Sequence, residues 1–210
     1  MAKRDDIEAK LVLFAAGTFE VVAIAASAGG LTALGLVLSG IPGAFPAAVL
    51  VVQHLDPRHP SFMADILKRR TALRVKEAED GERLELGTVF IAPPNRHLLV
   101  NPDATIALTQ SELVHFVRPS ADLLFESVAA AFRDRAIAVV LSGTGSDGSM
   151  GVGAIKKMGG LVIAQDERSS EFFGMPSAAI KTGHVDFTLP LAEIPAALVA
   201  LVTKGHLHEH

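Results

Sequence analysis

The sequence predicts an α/β fold: a doubly wound, mostly parallel sheet flanked by helices, with a small antiparallel hairpin. Three observations carry that expectation. Several apolar runs of strand length lack polar alternation, as strands buried on both faces must. Stretches of helical character separate them, and alternation of the two kinds implies crossover connections. Glycine and proline fall between these segments as punctuation, with no linker and no internal repeat.

The elements follow in order. Residues 1–20 are expected to form a polar N-terminal arm. Val21-Val22-Ala23-Ile24-Ala25-Ala26 is a continuous apolar strand, followed by the turn Ser27-Ala28-Gly29-Gly30 and a helix from Leu31 to Leu38. Pro42 and Pro46 mark a connection to a second buried strand, Ala48 to Val52, which ends in Gln53-His54. Ser61 is an N-cap for a helix to about Arg70. Glu79-Asp80-Gly81-Glu82 is a polar turn, and Thr88 to Ile91 is a short strand stopped by Pro93-Pro94. Leu98 to Val100 and Thr105 to Leu108 flank Asn101-Pro102-Asp103 as a hairpin.

Alternation then resumes. Ala121 to Arg133 is an amphipathic helix, Ala136 to Leu141 a buried strand, and Gly143 to Gly148 a glycine-rich turn. Gly151 to Met158 is a helix and Leu161 to Ala164 a strand. Pro176 suits the first turn of a further helix. Val185 to Leu189 is a last strand and Leu191 to Val202 a closing helix. One domain is expected over 21–203, then a polar tail, 204–210, holding His206, His208 and His210.

Composition removes several function classes. The chain has 210 residues and no cysteine, which excludes a disulfide framework, a thiol nucleophile and thiolate metal sites. Nineteen basic against 23 acidic residues, a net charge of −4, leave no electrostatic footprint for nucleic acid. Missing Trp and Tyr leave little for base stacking. No charge occurs from Val21 to Gln53, a run long enough to span a bilayer. Gly29, Gly30, Pro42 and Pro46 interrupt it, so strand, helix and strand is the better expectation. Lys3 and Arg4 could open a signal peptide, but Asp5, Asp6 and Glu8 follow and the apolar stretch Leu11 to Ala16 is short. A cytoplasmic protein without membrane insertion is expected.

In open α/β sheets, function gathers beyond the carboxyl ends of the strands. Ser27 follows the first strand, His54 the second, and Asp147 follows the strand Ala136 to Leu141. A hydroxyl, an imidazole and a carboxylate are the set that acyl transfer needs: nucleophile, base, and an acid that orients the base. Ala25-x-Ser27-x-Gly29 also resembles the G-x-S-x-G elbow, whose tight turn exposes the hydroxyl beside backbone amides. Each residue has a plainer role: Ser27 as a helix cap, His54 as a structural histidine, Asp147 as a turn residue. His59, His97, His115 and His184 are expected on surfaces or loops.

The rival reading is a nucleotide-binding module. AASAGG at 25–30 follows a strand and opens a helix, yet it fails the G-x-G-x-x-G spacing. Gly143-x-Gly145-x-x-Gly148 matches that spacing, but Asp147 inside it would repel phosphate.

Longer strings narrow the choice. IAASAGG at 24–30, QHLDP at 53–57, KEAEDGE at 76–82 and IAPPNRH at 91–97 occur in order. RPSADLLFESVA at 118–129, LSGTGSDGSMG at 141–151 and FGMPSAAI at 173–180 follow. Together they resemble the catalytic domain of CheB-type chemotaxis protein-glutamate methylesterases. The resemblance implies removal of methyl groups from glutamate methyl esters on the cytoplasmic helices of methyl-accepting chemoreceptors, with methanol released, and in many members deamidation of glutamines. It implies Ser27 as nucleophile, His54 as base and Asp147 as the orienting acid, on a parallel sheet with a small hairpin. No metal or cofactor is required, and a CheR-type methyltransferase is a candidate partner.

Three departures stand out. Ala28 replaces the common Thr after the nucleophile, and Thr144 replaces a common Met before the acid. The backbone amides of Ala28 and Thr144 survive both changes as candidate oxyanion donors. Twenty residues before the first strand cannot hold the N-terminal receiver domain usual in the family, so the chain is expected to be an excised domain or a stand-alone member. Arg118 is a candidate for binding an acidic substrate surface, with a structural salt bridge as its other role. Met175 is a candidate for lining the site, with core packing as its other role. A non-catalytic module that binds a receptor or methyltransferase stays open as a third class.

Overall fold

A computed structural model describes residues 19–54, 61–114 and 116–206. It contains β1 (Val21–Ala26), α1 (Gly30–Ser39), β2 (Ala48–Gln53), α2 (Met63–Lys68), β3 (Arg74–Glu77) and β4 (Thr88–Ile91). The hairpin strands β5 (His97–Val100) and β6 (Ile106–Thr109) follow, then α3 (Ala121–Phe132), β7 (Ala136–Val140) and α4 (Ser149–Lys157). The chain continues through β8 (Leu161–Gln165), α5 (Gly174–Lys181), β9 (Phe187–Leu189) and α6 (Ile194–His206).

Seven strands form one sheet in the order β3-β4-β2-β1-β7-β8-β9. Every pairing in it is parallel. Strands β5 and β6 pair antiparallel beside it. The expected doubly wound sheet with a hairpin is therefore the observed fold. All six residues of β1 are buried, because the sheet is covered on both faces. Val22, Ile24 and Ala26 pack on one side against α1 and α6, with Leu34, Val37, Leu198 and Leu201. Val21, Ala23 and Ala25 pack on the other against α3 and α4, with Leu124, Phe125, Val128 and Ile155. The period-two alternation of a strand sends neighbours to opposite cores, so both sets must be apolar. Strand order reverses at β1, since α1 leads to β2 on one side while β7 lies on the other. A crevice opens at such a switch point beyond the carboxyl ends.

Several expectations shift. Strand β3 was not foreseen: Arg-Val-Lys-Glu buries only Val75 and is an edge strand, where charges are tolerated. The N-cap of α2 is Phe62 rather than Ser61, and the helix ends at Lys68, though the Ser61 hydroxyl still accepts the Met63 amide at 3.2 Å. The stretch Leu191 to Glu193 is 3₁₀, and α6 starts at Ile194. Phe19 and Glu20, expected in the arm, belong to the core edge. Phe19 is buried, and Glu20 exchanges backbone bonds with Arg135 and Ala48. The rest of the arm and residues 207–210 of the tail lie outside the described residues, while the backbone of α6 runs on to His206. Among the described residues, no helix is long and apolar enough to cross a membrane.

Candidate active site

Ser27 and His54 follow adjacent strands at the carboxyl edge of the sheet, and Asp147 bonds His54 there; no hydrogen bond joins the Ser27 hydroxyl to His54 among the described residues. Register does the first part. Ala26 pairs with Gln53, so Ser27 and His54 leave adjacent strands side by side, and the His54 amide donates to Ala26 O at 3.2 Å. The Ser27 amide donates to Ser142 O at 3.0 Å, which ties the turn to the end of β7 on the other side. Gly29 then takes a left-handed φ of 73°, which turns the chain into α1. A Cβ at Gly29 would crowd Glu171 Oε2 and Ser142 Oγ, so both space and φ require glycine. Those groups border a cavity of about 140 Å³ walled by Thr32, Gln165 and Ser169 among others.

Asp147 is buried and sits 2.8 Å from His54 Nε2 through Oδ2. A carboxylate accepts, so the proton of His54 resides on Nε2 and its Nδ1 lone pair is free to take another. The Asp147 carboxylate also accepts from Ser120 Oγ at 2.9 Å, the Ala121 amide at 2.6 Å and the Asp122 amide at 3.1 Å. Burial pushes the carboxyl up. The bonds from His54, Ala121 and Asp122, with the attraction of His54, outweigh burial and hold it below the usual carboxylate range. Asp147 thus caps the N-terminus of α3, where a negative charge is favoured.

Asp122 returns the arrangement. It is buried in the first turn of α3, and its Oδ1 accepts the amides of Met150 and Gly151 at 3.0 and 2.8 Å, in the first turn of α4. Each helix therefore supplies or neighbours the carboxylate that caps the other. His97 completes the support and corrects an expectation: it is buried at the start of β5, not on a surface. Its Nδ1 accepts the Ser120 amide at 3.1 Å and its Nε2–H donates to Glu112 O at 3.0 Å. Burial holds its pKa below the usual histidine value, and the nearby Arg118 charge acts in the same direction. A neutral ring is the only form that can accept the Ser120 amide. Of the other histidines, His184 is exposed as expected, while His59 and His115 lie outside the described residues.

The remaining candidates are placed as follows. The amides of Ala28 and Thr144 have no hydrogen-bond partner among the described residues. Thr144 itself is exposed, beside Gly143, whose amide and carbonyl are both engaged, with Phe172 and Met175. Met175 is fully buried under Gly143, where a Cβ would overlap its Sδ and crowd Ser27 Cβ. Arg118 makes no salt bridge among the described residues. It gives two hydrogen bonds to Asn95 Oδ1 and one each to Gln110 O and Ser111 O, all neutral oxygens. Ser120, Asp122 and His97 were not singled out from sequence. Ser120-x-Asp122 at a helix start is a cap signal that could have pointed to them, but not to which carboxylate the helix would receive.

A hydroxyl on the turn next to that of a carboxylate-oriented imidazole, with open amides on two turns, is suited to acyl transfer. Comparison with known proteins agrees with that chemistry. The profile of the family described as CheB methylesterase matches residues 22–198. A Pyrococcus horikoshii protein named protein-glutamate methylesterase/protein-glutamine glutaminase is 42% identical over 196 residues, covering 90% of this chain and 53% of its own length. A Leptospira interrogans relative is 38% identical over 183 residues, covering 87% of this chain and 95% of that protein. The crystal structure of the Thermotoga maritima CheB methylesterase catalytic domain superposes with a TM-score of 0.85 at 37% identity, over 88% of this chain and all of that one.

Proposed function

This chain belongs to the CheB methylesterase family, and from that premise we propose that it hydrolyses glutamate methyl esters on a methylated chemoreceptor through Ser27, His54 and Asp147. The observation that carries the reading is the 2.8 Å contact between His54 Nε2 and Asp147 Oδ2, made beside the elbow that holds Ser27. Asp147 keeps the His54 proton on Nε2, and Nδ1 takes the Ser27 proton as Oγ attacks the ester carbonyl. The negative oxygen of the tetrahedral intermediate is held by the amides of Ala28 and Thr144, with the positive end of α1 behind them. His54 returns the proton to the leaving oxygen, and methanol departs. Water, deprotonated by His54, then hydrolyses the acyl-enzyme and frees the glutamate. The same steps on a glutamine amide release ammonia, the second activity in the name of the Pyrococcus relative. No step calls for a metal or cofactor.

The substrate helices lie in the cytoplasm, and a CheR-type methyltransferase acts on the same glutamates in the opposite direction. Residues 21–203 form the catalytic unit. Methanol release from a methylated receptor tests the reading. Ser27→Ala should abolish it, and a fluorophosphonate should label Ser27 in the wild type but not in His54→Ala. Retention of most activity by Ser27→Ala would remove Ser27 as nucleophile. Receptor binding without turnover would favour the non-catalytic module.

A further inference from the structure

Gln53 ends β2, one residue before His54, and its side chain is buried at 5% exposure. Its Nε2 donates to Ser27 O at 2.7 Å and to His54 O at 3.1 Å. The amide cannot be turned over, because its oxygen would then face two carbonyl oxygens. Oε1 instead points at Gly30, where any Cβ would overlap it. One nitrogen therefore bridges the backbone of the elbow and the backbone of the base.

The bridge has a geometric consequence. A peptide is planar and trans, so the Ala28 N–H points opposite to the Ser27 carbonyl in the same plane. Two donors grip that carbonyl: Gln53 Nε2, and the Gly30 amide at 2.8 Å. With the carbonyl fixed, the direction of the Ala28 N–H is fixed too. On the other side, Ser142 Oγ donates to Ala28 O at 2.9 Å, so the following peptide is held as well. Gly30 is local to the turn and moves with it. Gln53 comes from the neighbouring strand, and supplies the external reference.

We propose that Gln53 is a positioning residue for acyl transfer at Ser27: it aims the Ala28 amide at the developing oxyanion and locks the elbow to the backbone of His54. The inference rests on Ser27 being the nucleophile. Loss of one oxyanion donor costs about 10²–10³-fold in kcat, and a donor that is misaimed rather than absent loses part of that. Gln53→Met, of similar length but without a donor, should lower kcat about 10–100-fold, with KM within about twofold of wild type. Gln53→Glu turns an acceptor toward the two carbonyls and should be slower still.

Both variants are measured in methanol release from methylated receptor and in the rate of phosphonylation by a fluorophosphonate, whose phosphoryl oxygen requires the same amides. Thermal melting scores folding separately. A parallel fall in kcat and phosphonylation rate in folded protein, at unchanged KM, supports the proposal. Wild-type rates in folded Gln53→Met, beside an inactive Ser27→Ala, would overturn the positioning role alone. Should Gln53→Met not fold, the same comparison is made with Gln53→Glu. Full activity in Ser27→Ala would overturn the nucleophile and this inference together.

Discussion

Helices α1 and α4 start from the same device and finish it differently. Each follows a strand through a glycine-rich turn, each has a left-handed glycine at its N-cap, Gly29 or Gly148, and neither is capped by its own N-cap side chain. In α4 the open amides of Met150 and Gly151 are taken by Asp122 of α3, and α3 in turn receives Asp147. In α1, among the described residues, no side chain hydrogen-bonds the first-turn amides, although the Glu171 carboxylate lies close to Gly29. An N-terminus neutralised by a carboxylate gains stability, whereas an open one keeps its positive end for a charge that forms during reaction. One half of the candidate site's edge is thus held by capping carboxylates, and the other keeps turn amides with no hydrogen-bond partner among the described residues.

The largest test removes the charge that joins the halves. Asp147→Asn keeps the shape but no longer enforces the Nε2–H tautomer of His54. A kcat loss of about 10⁴-fold is expected in methanol release. The same variant reports on pH. Because the folded pKa of Asp147 is lowered, its stabilisation is fully present above the unfolded value of about 3.9 and is lost as pH falls through the folded value. The difference in melting temperature between wild type and Asp147→Asn should therefore shrink in acid, and a constant difference would contradict the capping role.

Next in size is Asp122→Ala, which uncaps α4 and takes the acceptor from the Met150 amide and the buried Gly151 amide. Bonds to a buried carboxylate suggest a loss of about 2–3 kcal/mol, or roughly 5–10 °C in Tm. Its effect on kcat should be much smaller than that of Asp147→Asn. An equal loss of activity would mean that the two carboxylates act as one catalytic unit.

His97 supports the rigid half and carries a second pH signature. Its folded pKa is lowered, so its contribution is present above the unfolded value of about 6.5 and is lost as pH falls through the folded value. Wild-type stability should decline over mildly acidic pH, and His97→Asn, which keeps an acceptor near the Ser120 amide, should flatten that decline. Identical profiles would dismiss the role.

The smallest expected effect probes the open half. Thr32 is an exposed first-turn residue of α1. Thr32→Glu should stabilise the helix by about 0.3–1 kcal/mol while slowing kcat by about twofold to fivefold at low salt. Added salt should erase the slowing. A stabler enzyme with unchanged kcat would show that the open end is not used.

Much of this was legible in the chain. The runs Val21 to Ala26, Ala48 to Val52, Ala136 to Leu141 and Leu161 to Ala164 fall on strands of the parallel sheet, with Leu141 one residue past β7, because two-sided burial leaves no room for polar alternation. Ser27, His54 and Asp147 could be chosen from strand ends. Strand β3 could not, since an edge strand with one buried valine has no hydrophobic signature. Nor could the value of His97, whose partners are a backbone amide and a carbonyl that any residue could supply.

The sequence by itself determined the layered α/β architecture, the turns that end its strands, and which hydroxyl, imidazole and carboxylate stand at those ends. Burial and backbone conformation are local preferences, written in residue type and spacing. Only the tertiary structure decided the strand order, the pairing of Ala26 with Gln53 that sets Ser27 beside His54, and the reach of Asp147 to a histidine 93 residues away. It also decided which helix each buried aspartate would cap. Hydrogen bonds between distant segments depend on where packing brings them, and no local pattern carries that information.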